Sequence, residues 1–254
     1  MTFAARVFVV MVAWTALSAQ REPVLVPAVS QSRIEVRQGF TGARLLLYGA
    51  VIDPAGAGRA GDYDIVVVLK GPTEPVRIRE KERLAGMWMN AGSSDFRSAP
   101  AFFAVASSRP VSEIVDERTA AIYELGTDFI QLSPSGQIEP EEQTRFAQGL
   151  VDLRRRQGLF QENPRGVSIS EKVLYQVRID LPSNVTTGAY TAETFAIAQG
   201  RVLTSATAKI EVVKAGLEGR VVAAAQRWSF LYGLGAIALS LGMGWLAGRL
   251  FARG

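Results

Sequence analysis

The pattern of apolar residues predicts a mainly β protein: an antiparallel β-sandwich with a helical insertion, followed by one C-terminal transmembrane helix. Three observations carry this expectation. From Tyr175 to Leu181 the chain alternates, with Tyr175, Val177, Ile179 and Leu181 on one face and Gln176, Arg178 and Asp180 on the other, the period of a half-buried strand. Residues 140–157 place Phe146, Leu150 and Leu153 at helical spacing between Pro140 and Gly158, which suit a helix start and stop. Trp228–Gly248 runs for 21 residues without a charge and would measure roughly 31 Å as a helix, the thickness of a hydrocarbon core.

In chain order, residues 1–19 read as a signal peptide. Arg6 supplies the positive start, Val7–Leu17 is an apolar run too short to span a bilayer, and cleavage is expected after Ser18 or Ala19. If this segment is not a signal, the topology inverts. The exported domain then covers 20–215. Ile34 and Val36 alternate with Arg33, Glu35 and Arg37, and Ala43–Ile52, Tyr63–Lys70 and Ala101–Ala106 are apolar, β-branched-rich runs of strand length. A helical insertion is expected at about 110–160. Its first helix would use Ile114, Ile122 and Leu125, with Gly126 as stop, and its second would start with Glu141 and Glu142 in the first turn.

After Leu174–Leu181, a second strand, Tyr190–Ile197, follows Gly188. A turn at Gln199-Gly200 leads to Val202 and on to Thr207–Val213. Tyr190 opening a strand after a glycine turn suggests the tyrosine corner of immunoglobulin-like sandwiches. Residues 216–227 form a juxtamembrane linker, 228–248 the transmembrane helix, and 249–254 a cytoplasmic tail. Trp228, Tyr232, Trp245 and Phe251 sit where interfacial aromatic belts sit, bracketed by Arg227 and Arg249. Cations flank both ends, so orientation rests on the signal peptide: a bacterial inner-membrane protein with its bulk domain in the periplasm and its C-terminus in the cytoplasm.

The chain of 254 residues contains no histidine and no cysteine. Disulfides, cysteine-ligated zinc, Fe–S clusters and imidazole-activated nucleophiles are thereby excluded. No catalytic residue, metal ligand or cofactor is nominated; an enzyme would need two facing carboxylates, and no pattern singles out such a pair. The net charge of +4 is largely topological. With Arg6, Arg249 and Arg253 outside the exported part, 25 cations face 24 acids, a net of +1, which gives no reason to expect nucleic-acid binding.

Gly56-Ala57-Gly58-Arg59-Ala60-Gly61 matches a dinucleotide fingerprint in letters only, because a strand follows where a helix is required. It is expected to be a hairpin loop, bordered by Asp53, Asp62 and Asp64, whose spacing fits no calcium loop. Asn184-Val185-Thr186 is a short sequon with significance only in a eukaryotic host. Arg154-Arg155-Arg156 either complement the carbonyl end of their helix or grip an anion.

The stretch Val76–Leu84 carries more. If extended, it places Arg77, Arg79, Lys81 and Arg83 on one face, with Val76, Ile78, Glu80, Glu82 and Leu84 on the other. Four like charges in a row want cross-strand acids, water or an anionic partner. Trp88 and Asn90 follow directly and complete a candidate docking set, although Trp88 is expected to serve the core. In the membrane segment Ala236, Ser240, Gly244 and Gly248 recur every four residues, a small-residue face along which a second copy or another membrane protein could pack.

These features occur in a recognisable order. Phe40-Thr41-Gly42-Ala43 precedes Tyr48-Gly49-Ala50. Asp64-Ile65-Val66-Val67-Val68 leads to Gly71-Pro72, then come Lys81, Arg83, Gly86, Trp88 and Asn90. Phe103-Ala104-Val105-Ala106-Ser107-Ser108-Arg109-Pro110, Leu181-Pro182, Gly188-Ala189-Tyr190 and Tyr232-Gly233 complete the series. In this the chain resembles the alphaproteobacterial putative transmembrane protein family, an uncharacterised group of exported, C-terminally anchored proteins. The resemblance implies topology and fold type, with no catalytic residues, and an accessory role beside an exporter of sulfite-like anions. Three functions stay open: a non-enzymatic accessory module partnering a transporter or another envelope protein, a periplasmic small-anion binding domain, and an envelope enzyme using carboxylates.

Overall fold

The computed structural model describes residues 23–37, 39–52, 63–84, 86–136, 139–171, 173–216 and 225–251. The expected signal peptide, the glycine motif at 56–61, Asp53, Asp62 and the end of the tail lie outside them. Two compact units are present: one holds the chain up to Ile34 together with Thr41–Val212, the other Glu35–Phe40 with Val213–Gly254.

The fold is mainly β. Strands β1 (Val24–Val29), β3 (Ala43–Ile52), β11 (Leu174–Leu181) and β10 (Val167–Ser170) form an antiparallel sheet in that order. A second sheet runs β2 (Arg33–Val36), β13 (Arg201–Lys214), β12 (Gly188–Ala198), β4 (Asp64–Lys70), β7 (Phe103–Ser107) and β9 (Phe160–Pro164). A third joins β5 (Thr73–Leu84), β6 (Met87–Pro100) and β8 (Ser133–Pro134). The expected strands are all present. β3 and β4 lie in different sheets, however, so they do not pair as the hairpin that the sequence suggests.

The first two sheets meet face to face. Tyr175 of β11 is buried and its Oη lies 3.5 Å from Thr194 Oγ1 on β12. The Tyr175 ring passes over β3 at its register partner Gly49, where a Cβ would sit against the Val26 carbonyl and 2.5 Å from Tyr175 Oη. Only glycine leaves that space. One residue after Thr194, Phe195 points to the opposite face of the sheet and packs edge-on against Tyr123. The second sheet is thus covered on both sides, which explains why Ile65–Leu69 of β4 read as an unbroken apolar run and are buried without exception.

The cover on the far side is the helical insertion, and here the sheet departs from a purely antiparallel plan. β7 and β9 pair in parallel, and parallel neighbours require a long crossover. The insertion is that crossover: α1 (Val111–Ile114), α2 (Glu117–Tyr123), a 3-10 turn (Thr127–Phe129) and α3 (Pro140–Arg156). The single helix expected over 112–125 is broken. Val115 is extended, and Asp116 then starts α2 by accepting a hydrogen bond from the Thr119 amide at 3.0 Å. Ile114 and Leu125 are buried as expected, but Ile122 is 61 % exposed. α3 starts at Pro140 with Glu141 and Glu142 in its first turn, as the sequence indicates, and buries Phe146, Leu150 and Val151. Leu153 is 48 % exposed, because the helix is covered only on its Phe146–Leu150 side, where it meets the third sheet. The C-terminal helix α4 spans Ser229–Phe251, and its Ser229–Arg249 stretch is long and apolar enough to cross a membrane.

Tyr190 makes the corner that its position suggests: its Oη donates to the Thr186 carbonyl four residues upstream at 2.7 Å. Burial, with a smaller contribution from the Glu74 carboxylate, pushes the Tyr190 phenol up to about 12. Burial also raises Tyr175, against the opposing effect of its hydrogen bond to Thr194. The folded state therefore holds both phenolic protons more tightly than the unfolded chain. Their contribution is intact below the ordinary value of 10.0 and is lost as pH rises from there towards about 12. We expect stability, followed by near-UV circular dichroism in denaturant, to fall across that window. Tyr190→Phe should remove its share of the slope and cost about 1 kcal/mol at neutral pH for the lost hydrogen bond.

Candidate functional site

The six docking candidates all fall on one element, the hairpin of β5 and β6. Its root is held tightly. The Gly71 amide donates to the Phe102 carbonyl and the Ala101 amide to the Pro72 carbonyl, both at 2.8 Å, so the chain entering the hairpin is tied to the chain leaving it. Tyr190 packs against Phe102 with the rings tilted by 48° and 6.0 Å between centroids. A Cβ on Gly71 would lie 3.1 Å from Tyr190 Cε1, and one on Gly188 would lie 3.0 Å from Pro72 Cγ. Glycine at both positions lets two distant segments close on the root.

Above the root, the inward face of the hairpin packs on α3. Phe96, Ala99, Phe146 and Leu150 form a buried cluster, with Val76, Ile78, Leu132 and Ala147 packed against it. Ion pairs frame this contact: Arg154 with Glu74 at 2.5 Å and Arg145 with Glu80 at 3.1 Å. Arg155 bonds Asp128 at 3.0 Å and also Thr127 within the crossover. All three consecutive arginines stand in the last turn of α3, where they complement its carbonyl end as expected, and two of them are in addition tied to acids within the fold. Asp64, once considered beside the glycine motif, is held by Arg109 at 2.5 Å and accepts from Ser108. The Arg109 guanidinium keeps its carboxyl below the usual range, against the effect of partial burial.

The outward face is the predicted ladder. The register pairs Arg77 with Asp95, Arg79 with Ser93, Lys81 with Asn90 and Arg83 with Trp88. Directly opposed residues share a face, so Arg77, Arg79, Lys81, Arg83, Trp88 and Asn90 are brought together on one side of the hairpin. Two irregularities adjust the strands: Pro75, which has no amide to donate, sits at the first register shift, and Ala91 is the extra residue at the second. Arg77 grips Asp95 through both carboxylate oxygens, at 2.5 and 2.6 Å. That bond, with Arg79 adding to the field, lowers the Asp95 carboxyl. Lys81 and Arg83 have no acid within ion-pair distance among the described residues; Arg83 only donates to the Gly86 carbonyl at 3.4 Å.

Beyond the cluster on α3 the hairpin continues as a two-stranded arm. Leu84 pairs with Met87, and Gly86 immediately before Met87 adopts φ 85°. Trp88 is 71 % exposed, with Met87 at 65 % and Met89 at 50 %. The expectation that Trp88 serves the core is therefore wrong. The buried cluster stops at Phe96 and Ile78, several residue pairs short of the tip, and among the described residues no element covers Trp88. Met87 and Met89, on the opposite face with Glu82, were not singled out from the sequence. The signal was their place on either side of Trp88 immediately after a turn glycine.

Clefts lie elsewhere. One, of about 650 Å³, runs along α3 beside Thr127, Asp128 and Arg155; another borders Ser107, Glu162 and Asn163. A third, about 330 Å³, opens on the outer face of the four-stranded sheet at Tyr48, Leu174 and Gln176. None of these clefts is lined by the cationic ladder. Ala236, Ser240, Gly244 and Gly248 are exposed along α4, and a Cβ on either glycine would meet nothing within 4 Å.

The arm's dependence on α3 is measurable. Phe146→Ala should cost about 3–5 kcal/mol and expose the amides of Val76–Ile78 to hydrogen exchange. Trp88→Ala should change stability by less than about 0.5 kcal/mol, because its side chain is 71 % exposed.

A family model described as Putative transmembrane protein matches residues 24–253 of the chain. Neither the curated proteins nor the solved structures contain a match.

Proposed function

The chain belongs to this putative transmembrane protein family, and on that premise we propose that it is a non-enzymatic accessory module of the bacterial inner membrane. In this reading the β domain lies in the periplasm, the tail in the cytoplasm, and the protein acts through contact with a second membrane protein. A transporter of small anions of the sulfite type is the partner we favour. One observation carries the reading. The residues that the fold leaves unused, Lys81, Arg83, Trp88 and Asn90, are gathered on an exposed arm belonging to a chain with a membrane-length helix. Aromatic and basic side chains presented together are the usual anchors of contact surfaces. The absence of histidine and cysteine from the sequence removes the commonest catalytic side chains and agrees with a contact role.

Binding of a free small anion by the domain is the weaker reading. It would need the cations to converge on a concavity, whereas Arg79, Lys81 and Arg83 follow one another along an open ladder. The small-residue face of α4 offers a second contact, because glycine and serine in register let another helix approach closely.

Crosslinked pull-down of the wild type against Gly244→Leu and Gly248→Leu tests the proposal: a co-purifying membrane protein should be lost from both variants, and unchanged recovery of every membrane protein would remove helix docking. Alkaline phosphatase fused after Val213 should be active, and an inactive fusion beside an active cytoplasmic reporter would overturn the topology.

A further inference from the structure

We propose that the tip of the β5–β6 arm docks on an anionic lipid surface, with Met87, Trp88 and Met89 entering the interface and Lys81 and Arg83 meeting the headgroup phosphates. This rests on the reading of the arm as a contact element and specifies what its end contacts.

Three consecutive large apolar side chains stand exposed at the end of a hairpin whose own core lies farther back. Their distribution distinguishes among occupants. Trp88 shares a face with Arg83, while Met87 and Met89 lie on the other face. A protein partner presents a surface and engages one face of a two-stranded ribbon. An acyl and headgroup medium surrounds a tip and solvates both faces at once. Apolar groups on both sides of the same turn therefore fit a lipid interface better than a protein groove.

The charges fall at the matching depth. Arg83 stands one residue back from the Leu84–Met87 pair and Lys81 three residues back, which is roughly 3–10 Å along the strand. Interfacial segments bury their apolar side by about 5–10 Å with cations at the headgroup level. Lys81 and Arg83 have no acidic partner among the described residues, and Arg79 behind them stands next to an Asp95 already engaged by Arg77. The acids near the tip are Glu82, on the methionine face, and Glu80, which is held by Arg145. The end of the arm is thus net cationic, the sign that anionic lipid attracts. Covalent connection to α4 also keeps the domain concentrated at a bilayer, so a contact too weak for a free domain becomes populated.

Because the chain has no cysteine, Met87→Cys gives a single labelling site on an exposed position. The full-length protein, carrying an environment-sensitive fluorophore there, is reconstituted in vesicles of phosphatidylcholine alone or with phosphatidylglycerol, each containing a lipid bearing a shallow quencher. The expected result is a blue-shifted emission, quenched by lipid and protected from iodide, in the phosphatidylglycerol vesicles. Adding Lys81→Gln and Arg83→Gln should reduce the docked fraction about tenfold or more, since each cation at an anionic surface is worth about a factor of five, and high salt should do the same. A Ser168→Cys label on the exposed side of the domain should stay iodide-accessible throughout. Equal iodide access at positions 87 and 168 in both vesicles overturns the proposal. If position 87 is then protected in native membranes and crosslinks to a protein, the contact reading stands without the lipid; if it is unprotected there as well, both fall.

Discussion

The root of the arm is the constraint on which the candidate site depends. Two backbone hydrogen bonds, Gly71 to Phe102 and Ala101 to Pro72, close a long hairpin at its base, and the Tyr190 ring lies over the junction. Gly71-Pro72 and Gly188-Ala189-Tyr190 are separated by more than a hundred residues of chain, and both belong to the series by which the chain resembles its family. Their meeting at the root gives that resemblance a physical content. The glycines permit close approach, the proline contacts the second glycine, and the tyrosine fixes its own turn through the Thr186 carbonyl. This junction fixes where the hairpin leaves the sandwich, and α3 braces it farther out.

Burial of the second sheet on both faces follows from the same layout. β4 leads directly into the root and runs through the middle of the sheet with no exposed side chain. Something must cover its far side, and the parallel pairing of β7 with β9 supplies a crossover long enough to do so. α3, part of that crossover, then supports the arm through Phe146 and Leu150. One stretch of chain therefore shields the sheet and braces the candidate site. The buried cluster stops at Phe96 and Ile78, α3 still reaches the next pairs through Phe146 beside Gly92 and Arg145 on Glu80, and from Lys81 to the tip the strands pair with each other. Buried packing lies at the root and against α3, and exposed chemistry at the tip.

Much of the candidate site was legible in the sequence, for a geometric reason. Alternation along an extended segment puts Arg77, Arg79, Lys81 and Arg83 on one face whatever they pack against, and the hairpin register adds Trp88 and Asn90 to that face. The exposure of Trp88 was not legible. A tryptophan beside a turn reads the same whether a neighbouring element covers it or not, and only the position of α3 decides. The exposure of the methionines on the other face is decided in the same way. The arginine triplet shows the reverse case: a run that looks free in one dimension has Arg154 and Arg155 tied to Glu74 and Asp128, both remote in the chain.

By itself the sequence determined the element types, the apolar C-terminal helix, the cationic face and the exclusion of histidine and cysteine chemistry. These depend on local periodicity and on composition, which survive without knowledge of neighbours. The tertiary structure decided that β3 and β4 belong to different sheets, that the helical insertion is a crossover between parallel strands, and that the far end of the β5–β6 hairpin stands uncovered. Each of these is a question of which remote segments share a surface. The answer lies in complementary packing, at Gly49 beneath Tyr175, at Gly71 beneath Tyr190 and at Phe146 against Phe96, and no window of consecutive residues contains both partners.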